Sequence, residues 1–472
     1  MGWLRTLPNV DLHVNGLADS TERKAVLLLT TLGSFITPFM SSSINIALPS
    51  IGSDLGADII SMGWIATSYL LALAISLVPF GRLSDIHGRK RIFKYGLAAY
   101  TFSSILCAAS DSATSLIMLR ILQGAGSAMI SCSAVAILTS VYPAGLRGRV
   151  LGVNVAAVYS GLSLGPFIGG LLTQNLGWRS IFTLNALLGI ILLTSLIWKL
   201  RGEWVEAEGE RFDSVGSIIW AASLAGLMYG FSTLPTAQAI AVVLTGVVGI
   251  CIFILWELKV ETPLLEMDMF RRSRVFTFSN IAALINYSAT FAVGFLLSLY
   301  LQYVKGLDPQ SAGLILIFQP IVQALFSPIA GRASDRIEPR IVASAGMALT
   351  ALGLAIFTIL NEDTALHLVA ANLSILGFGF ALFSSPNTNA VMSSVDRRFY
   401  GVASATLGTM RFLGQMLSMG VTMIMFAIYL DGVQVSTSPS MFLKSSQLSF
   451  TIFTLMCFLG VFASLVRGRV EK

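Results

Sequence analysis

The chain has 472 residues, of which 55% are hydrophobic and only 11% are charged, with a net charge of +6. Soluble proteins carry about 25% charged residues, so the composition excludes an ordinary soluble protein and predicts an integral membrane protein. The basic residues recur in short connections between apolar segments, which excludes the clustered charge of a nucleic-acid-binding protein. Four cysteines lie inside apolar segments without metal-ligand spacing, so we expect free thiols and no metal or other cofactor.

Fourteen segments are apolar over about the 20 residues that a helix needs to cross a bilayer. The first seven lie near residues 26–48, 59–80, 92–110, 115–142, 150–174, 180–198 and 214–234. The second seven lie near residues 239–255, 276–304, 311–330, 341–360, 366–392, 404–430 and 448–466. The sequence therefore predicts an all-α integral membrane protein with 14 transmembrane helices.

The positions of lysine and arginine predict which side of the membrane each connection faces. All but five of the 30 basic residues fall in the two terminal tails, in the even-numbered connections or, for Lys94, in the adjoining first turn of the third span. Two of the five, Arg120 and Arg411, lie within apolar spans, and the other three lie on the opposite side. Because basic residues concentrate in cytoplasmic connections, we predict a multi-pass protein of the cell membrane with both termini in the cytoplasm.

Internal similarity divides the chain into two halves. The segment GRLSD at residues 81–85 recurs as GRASD at residues 331–335, 250 residues later, and Arg147 and Arg397 share that offset. We therefore predict two parallel six-helix repeats with two helices inserted between them. The acidic stretch 199–213 after the first repeat is predicted to be a hydrated linker. The predicted domains are a cytosolic tail, a six-helix bundle, a linker with two inserted helices, a second six-helix bundle and a second cytosolic tail, at residues 1–25, 26–199, 200–275, 276–466 and 467–472.

A short charged run, GRLSDIHGRKR at residues 81–91, joins the second and third spans. Glycine at both ends permits a tight turn, and a carboxylate among arginines can form charge-assisted hydrogen bonds that a change in helix packing would make or break. The run is therefore predicted to be a conformational latch, the alternative being a basic loop that only orients two helices. The predicted latch residues are Gly81, Asp85, Gly88 and Arg89, with Arg332 and Asp335 in the second copy.

The fifth span carries a glycine-rich pattern, GLSLGPFIGG, at residues 161–170. Glycines at these intervals leave a groove on the helix for close packing against another helix, and the proline removes one backbone hydrogen bond and kinks the span. Packing alone is the alternative explanation of such a pattern. The residues of interest are Gly161, Gly165, Pro166, Gly169 and Gly170.

Together these two motifs resemble those of the major facilitator superfamily. The run 81–91 matches the superfamily's loop between helices 2 and 3 at every position except Ile86, where arginine is usual. The glycine pattern resembles the antiporter motif, and Trp178–Phe182 with Asn185 resembles the start of helix 6 in the fourteen-helix drug:proton antiporter branch. The resemblance implies two six-helix bundles plus two central helices. It also implies a secondary active transporter that exports small amphipathic molecules or drugs by alternating access, coupled to the proton gradient.

Two arginines within apolar spans indicate a polar interior. An arginine near the bilayer centre costs about 2.5 to 3.5 kcal/mol on insertion scales, so a buried one is a functional candidate. Arg120 with Gln123, and Arg411 with the polar residues after it, form stripes that we predict to face water or substrate. In the family that the chain resembles, the helix 4 arginine is linked to proton movement, whereas a snorkelling side chain is the alternative for Arg120. Further cavity candidates are Asn154, Tyr159, Asn286, Gln319, Gln323 and Asn387.

One departure from the family's pattern changes the expected substrate. The family usually carries an aspartate five residues before Asn45, and this chain has Met40 there. With no carboxylate deep in any span, Arg120 and Arg411 should give the cavity a positive potential, which low surrounding dielectric amplifies. We therefore predict a neutral or anionic amphiphile as the small-molecule substrate. The proton remains the predicted coupling ion, although its carrier is not visible in the sequence.

Other functional classes lack their sequence signatures. An ATP-driven pump would need a phosphate-binding loop of the form Gly-x-x-x-x-Gly-Lys-Ser/Thr, which the chain does not contain. A membrane-embedded enzyme would need clustered ionisable residues or metal ligands within the spans, and a channel would not need two latch loops. We therefore predict a monomeric transporter surrounded by membrane lipids, not an enzyme. An importer or facilitator of a small solute is the alternative.

Overall fold

The computed structural model describes residues 20–200, 202–207, 209–261, 263–265, 267–395, 400–430 and 438–468. All regular secondary structure within these ranges is helical. The first eight helices are α1 (Ser20–Leu55), α2 (Ile59–His87), α3 (Arg89–Ala108), α4 (Ala113–Val141), α5 (Ala144–Leu176), α6 (Arg179–Lys199), α7 (Ser214–Thr233) and α8 (Ala237–Glu257). The others are α9 (Met267–Arg272), α10 (Arg274–Thr290), α11 (Ala292–Leu299), α12 (Pro309–Leu316), α13 (Phe318–Arg336), α14 (Pro339–Phe357), α15 (Leu366–Ser393), α16 (Tyr400–Tyr429) and α17 (Pro439–Val466), with a π-helical turn at Tyr300–Val304.

Short polar residues fix where several helices begin. The Asp58 carboxylate accepts the Ser61 N–H at 3.0 Å at the start of α2, and Asp308 accepts the Ser311 N–H at 2.9 Å at the start of α12. Such caps satisfy backbone donors that have no partner inside the helix. The hydrogen bonds from Ser311 also hold the pKa of the Asp308 carboxyl below its usual value.

Thirteen helical segments in the described ranges are long and apolar enough to cross a bilayer. The remaining predicted span, 92–110, corresponds to α3. This helix is less apolar because four basic residues lie within its first six positions. It nevertheless packs against α4 and α6 and buries Phe93, Leu97 and Tyr100 completely. It is therefore a bundle helix with a strongly basic amino-terminal end.

The packing confirms two six-helix bundles with two inserted helices. Helices α1 to α6 pack on one another, and α10 to α17 form the second bundle, in which α10 with α11 and α12 with α13 each make one broken span. The repeat offset is also visible in helix packing. A β-carbon on Gly96 would lie 2.6 Å from Met129 Cβ. A β-carbon on Gly346, 250 residues after Gly96, would lie 2.6 Å from the carbonyl oxygen of Gly379, 250 residues after Met129.

The inserted helices α7 and α8 pack against each other, and α7 also contacts α2 and α16. Trp220 and Leu224 of α7 join a buried cluster with Ala74 of α2 and Met416 of α16. The indole N–H of Trp220 donates to the Ala74 carbonyl at 3.4 Å. The inserted pair therefore lies against the seam where one helix of each bundle meets.

The two bundles are in close contact at the membrane face opposite the 81–91 loop. The Ser298 hydroxyl donates to the Asn45 carbonyl at 2.7 Å, and the Gln302 amide donates to the Ile46 carbonyl at 2.9 Å. A second contact joins α5 and α12, where Gly170 and Gly313 each lie directly against a carbonyl of the other helix. We call this α1–α11 and α5–α12 contact the closed end.

Candidate functional site

A polar cluster lies where α5 of the first bundle meets α10, α15 and α16 of the second. The hydroxyls of Tyr159 and Ser384 are hydrogen-bonded to each other, and the Tyr287 hydroxyl lies near both. The Arg411 side chain lies in the neighbourhood of the Tyr287 hydroxyl. Tyr159, Ser384 and Arg411 lie away from the ends of their helices, and Tyr287 lies in the last turn of α10, beside the break between α10 and α11. We call Tyr159, Tyr287, Ser384 and Arg411 the central cluster.

Aromatic rings flank the central cluster. Tyr287 packs edge-on against Phe380, with ring centroids 5.3 Å apart, and the Arg411 guanidinium lies 4.7 Å from the centre of the Phe412 ring. Arg411 Nε is buried and has no hydrogen-bond partner in the described part of the chain. A charged donor without a partner costs free energy in a low-dielectric interior. The cluster therefore contains one charged donor, Arg411 Nε, that no described residue satisfies.

Three predicted cavity amides share this property. Asn154, Asn286 and Gln323 are at least 94% buried, yet each has at least one side-chain N or O that no group within the described ranges satisfies. Such orphaned polar atoms cost about 1 to 3 kcal/mol each when nothing binds them, so they are expected where water or a ligand completes the site. The Ser163 hydroxyl donates to the Pro320 carbonyl at 3.2 Å, which brings α5 against α13 within one turn of Gln323.

The other two predicted amides have different surroundings. Gln319 is half-buried, and its backbone lies directly against Gly377 of α15. Asn387 is separate from the central cluster, because its oxygen accepts from Arg467 Nη1 at 2.9 Å and its amide donates to the Ser279 carbonyl at 3.1 Å. Burial lowers the pKa of Arg467 to about 10, so Arg467 stays charged at neutral pH and keeps Asn387 occupied.

The polar stripe predicted that Arg120 and Gln123 face water or substrate. In the structure they do not. Both side chains are fully buried inside the first bundle. Arg120 Nε donates to the Ile65 carbonyl at 3.1 Å and Nη1 donates to the Gln123 amide oxygen at 2.6 Å, while its guanidinium lies 4.2 Å from the centre of the Tyr69 ring. The stripe is covered because Gly124 allows the α2 backbone to approach α4 closely, which hydrophobic periodicity cannot reveal.

The 81–91 loop forms a compact ion cluster around Arg89. Arg89 Nη2 lies 2.7 Å from Asp85 Oδ1, and its two terminal nitrogens donate to the two oxygens of Glu206, each at 2.7 Å. Gly88 has a φ of 109°, a conformation that favours glycine. In the second copy Arg332 is exposed on α13, and the side chain of Asp335 lies outside the described residues.

The acidic stretch 199–213 is not merely a hydrated linker. The Glu203 carboxylate accepts the Lys90 N–H at 2.8 Å at the start of α3, and Glu210 forms an ion pair with Arg82. With Glu206 on Arg89, three glutamates therefore bind the loop. The complementary signs of the two segments were visible in the sequence, but they did not show that the linker folds back over the loop.

The glycines of α5 divide between two contacts. A β-carbon on Gly161 would lie 2.5 Å from the Phe35 carbonyl oxygen, and Gly165 and Gly169 lie against Ser42 and Ser43 of the same helix, α1. The next glycine, Gly170, instead faces Pro309 of the second bundle, and the Pro166 carbonyl meets Gly313 there. The predicted packing function thus applies within the first bundle and at the closed end.

Met40 and Ser384 lay outside the predicted site for different reasons. Met40 is fully buried in the main hydrophobic core. The position where the family has an aspartate is therefore apolar in this chain. Ser384 belongs to the central cluster but carried no signal, because mid-helix serines commonly bond their own backbone. Within the described ranges, no group of three or more His, Cys, Asp or Glu side chains could hold a metal ion.

Two helix bundles related by an internal repeat, meeting around a polar cluster and in contact at one membrane face, define a membrane transporter. The chain belongs to the Major Facilitator Superfamily, whose sequence profile matches residues 30–419 and 279–472. The predicted membership is thereby confirmed.

Comparisons with known proteins agree with this family. The "Riboflavin transporter RibZ" of Clostridioides difficile is 29% identical over 93% of this chain and 96% of its own length. The "Multidrug resistance protein Stp" of Mycobacterium tuberculosis is 28% identical over 86% of this chain and 76% of its own length. A crystal structure of a bacterial homolog of the lysosomal transporter Spinster, in an inward-facing conformation, matches with a TM-score of 0.70, covering 95% of this chain and 98% of that chain. Its 14% sequence identity supports the fold alone.

Proposed function

We propose that the protein is a secondary active exporter of small neutral or anionic amphiphiles that works by alternating access between its two bundles. The central cluster carries this proposal, because its four residues come from helices of both bundles and Arg411 offers an unpaired donor. A site shared by two bundles can be exposed to either face when the bundles rock. The similarity to Stp, named as a multidrug resistance protein, supports export of drug-like molecules.

The charge of the site selects among substrates. Two unit charges about 4 Å apart interact by about 4 kcal/mol at an effective dielectric of about 20. Arg411 lies among hydroxyls and aromatic rings, and Arg120 adds a buried charge within the first bundle. A dication near Arg411 would therefore be repelled, whereas an anionic or neutral aromatic molecule would bind.

A set of matched dyes tests this selectivity. In proteoliposomes we expect an anionic and a neutral dye to be transported at least about ten times faster than a dication of similar size, since about 1.4 kcal/mol corresponds to tenfold. Protein-free liposomes provide the background. Equal or faster transport of the dication would show that another feature determines selectivity.

We further propose that both termini and the 81–91 loop lie in the cytoplasm, and that the two bundles span residues 26–199 and 276–466. The asymmetry of basic residues supports this orientation. Alkaline phosphatase fused after Pro235 or after Asp308 should be active outside the cell, whereas a fusion at the carboxyl terminus should be inactive. Activity of the carboxyl-terminal fusion would reverse the assignment.

We infer that protons drive the export. Arg120, held by Tyr69 and Gln123 inside the first bundle, is our candidate for transmitting protonation to helix packing, since a fully buried charge responds strongly to any change in its partners. Dye transport in Arg120→Gln should become insensitive to an imposed proton gradient. A variant with wild-type gradient dependence would remove Arg120 from the coupling.

Facilitated movement of a small solute, such as a flavin, is the second candidate. The similarity to RibZ, named as a riboflavin transporter, favours it. A facilitator would equilibrate labelled riboflavin equally in right-side-out and inverted vesicles without a gradient. An exporter would accumulate its substrate only in inverted vesicles, so the two candidates predict different results in one assay.

A further inference from the structure

We propose that the linker between α6 and α7 is a strap that positions the 81–91 loop during transport, with Glu206 as its main positioning residue. This proposal rests on the proposed alternating-access function. The strap consists of residues 202–207 and 209–213, the described part of the connection. It touches no residue of the central cluster in the described contacts, so any effect on transport must act indirectly, through the loop or through the helices to which the strap is joined.

Glu206 supplies half of the negative charge around Arg89. The Arg89 side chain is only 7% exposed, and all three of its guanidinium nitrogens are used, by Asp85, Glu206 and two groups of α4. The contact with Glu206 is bidentate, the geometry in which an arginine and a carboxylate bind most specifically. Without the Glu206 charge, Asp85 would be the one carboxylate among the described residues that pairs with the nearly buried Arg89 guanidinium.

Backbone hydrogen bonds also hold the strap against the loop, alongside these charges. The N–H groups of Glu206 and Ala207 both donate to the Asp85 carbonyl, at 3.2 and 3.0 Å, and the Arg89 N–H donates to the Trp204 carbonyl at 2.9 Å. These bonds lie on either side of Gly88. The strap therefore follows the turn of the loop, and its side chains are presented to the loop in a fixed register.

Glu203 fastens the strap to the start of α3. Its carboxylate accepts the Lys90 N–H at 2.8 Å, where the partial positive charge of a helix amino terminus favours an anion. A β-carbon on Gly88 would lie only 2.7 Å from the Glu203 carboxyl carbon. Glycine at this position thus permits both the positive-φ turn and the close approach of the Glu203 carboxylate.

The strap also connects the loop to the helices that bridge the bundles. It ends at Asp213, whose carboxylate accepts the Gly216 N–H at 2.8 Å and so begins α7. Helix α7 packs against α2 and α16, and α16 carries Arg411. The strap thus links the loop of the first bundle to α7, which contacts one helix of each bundle. It would hold the shape of the loop while the two bundles move relative to each other, the step in which the latch would act.

The test replaces Glu206 by glutamine, which keeps the size and removes the charge. We expect the maximal rate of dye transport to fall by about 5- to 20-fold, because the charge-assisted contact with Arg89 is lost, with KM for the dye unchanged. Glu206→Asp, which keeps the charge, should recover most of the rate. Glu261→Gln is the matched control, since Glu261 is an exposed glutamate after α8, and it should match the wild type.

Amide hydrogen exchange separates this proposal from the proposed function, because it needs no substrate. The Glu206 and Ala207 amides should be protected in the wild type and exchange at least tenfold faster in Glu206→Gln. Fast exchange in the wild type would refute the strap even if the protein exports dyes. A wild-type maximal rate in Glu206→Gln, or an equal loss in Glu206→Asp, would refute the positioning role of this charge.

Discussion

Replacing Arg411 by glutamine should lower transport of an anionic dye by about 10- to 100-fold at low dye concentration. A hydrogen bond to a charged group contributes about 1.5 to 3 kcal/mol, and each 1.4 kcal/mol corresponds to about tenfold in affinity. Arg411 Nε has no partner among the described residues, so its donor is available to the substrate. Initial rates in proteoliposomes over a range of dye concentrations measure the effect, which should appear mainly in KM.

The neutral dye provides the internal control for Arg411→Gln, because it should lose less than about threefold. Arg271→Gln provides the matched variant, since Arg271 is an exposed arginine on α9 and the chemical change is the same. An equal loss for anionic and neutral dyes would indicate that Arg411 maintains the structure of α16. Unchanged transport of the anionic dye would remove Arg411 from the site.

Placing valine at Gly313 or at Gly170 should abolish net transport almost completely. A side chain at Gly313 would meet the Pro166 carbonyl, and one at Gly170 would meet the Pro309 carbonyl. Backbone atoms of packed helices cannot move aside as a flexible side chain can, so the closed end could not form. The protein would be held with this face open. A cysteine introduced at Ser384 should then react faster with a membrane-impermeant thiol reagent added outside cells.

Gly152 is the matched control for these two variants. It lies on α5, the helix that carries Gly170, and a β-carbon placed there would have nothing within 4 Å. Gly152→Val should therefore transport at the wild-type rate. Wild-type transport by Gly313→Val and Gly170→Val would show that the closed end does not need to form in the cycle.

Features that depend on composition and spacing could be predicted from the sequence. An arginine inside an apolar span made Arg411 a candidate, because its cost in a membrane demands an explanation. The offset of 250 residues predicted the two bundles, and it recurs in the packing of Gly96 and Gly346. The basic start of α3 still allowed its span to be recognised, since its buried aromatic side chains continue the apolar pattern.

Features that depend on which neighbour covers a side chain could not be predicted. Arg120 and Arg411 lie in similar polar stripes, yet α2 covers the first, whereas the second lies beside the cluster between the bundles. In the sequence Asn387 resembles the other intramembrane amides, but in the structure its oxygen accepts a hydrogen bond from Arg467, 80 residues later. The strap escaped prediction because an acidic run usually stays hydrated, and only the path of the chain brings Glu206 onto Arg89.

Accumulation of an anionic dye in inverted membrane vesicles tests the exporter assignment most directly. With the vesicle interior made acidic, the dye should become more concentrated inside than outside, and a protonophore should abolish this accumulation. Arg411→Gln and Gly313→Val at matched protein levels should not accumulate it. Accumulation in right-side-out vesicles instead, or accumulation that does not respond to the protonophore, would contradict proton-driven export through a site between the two bundles.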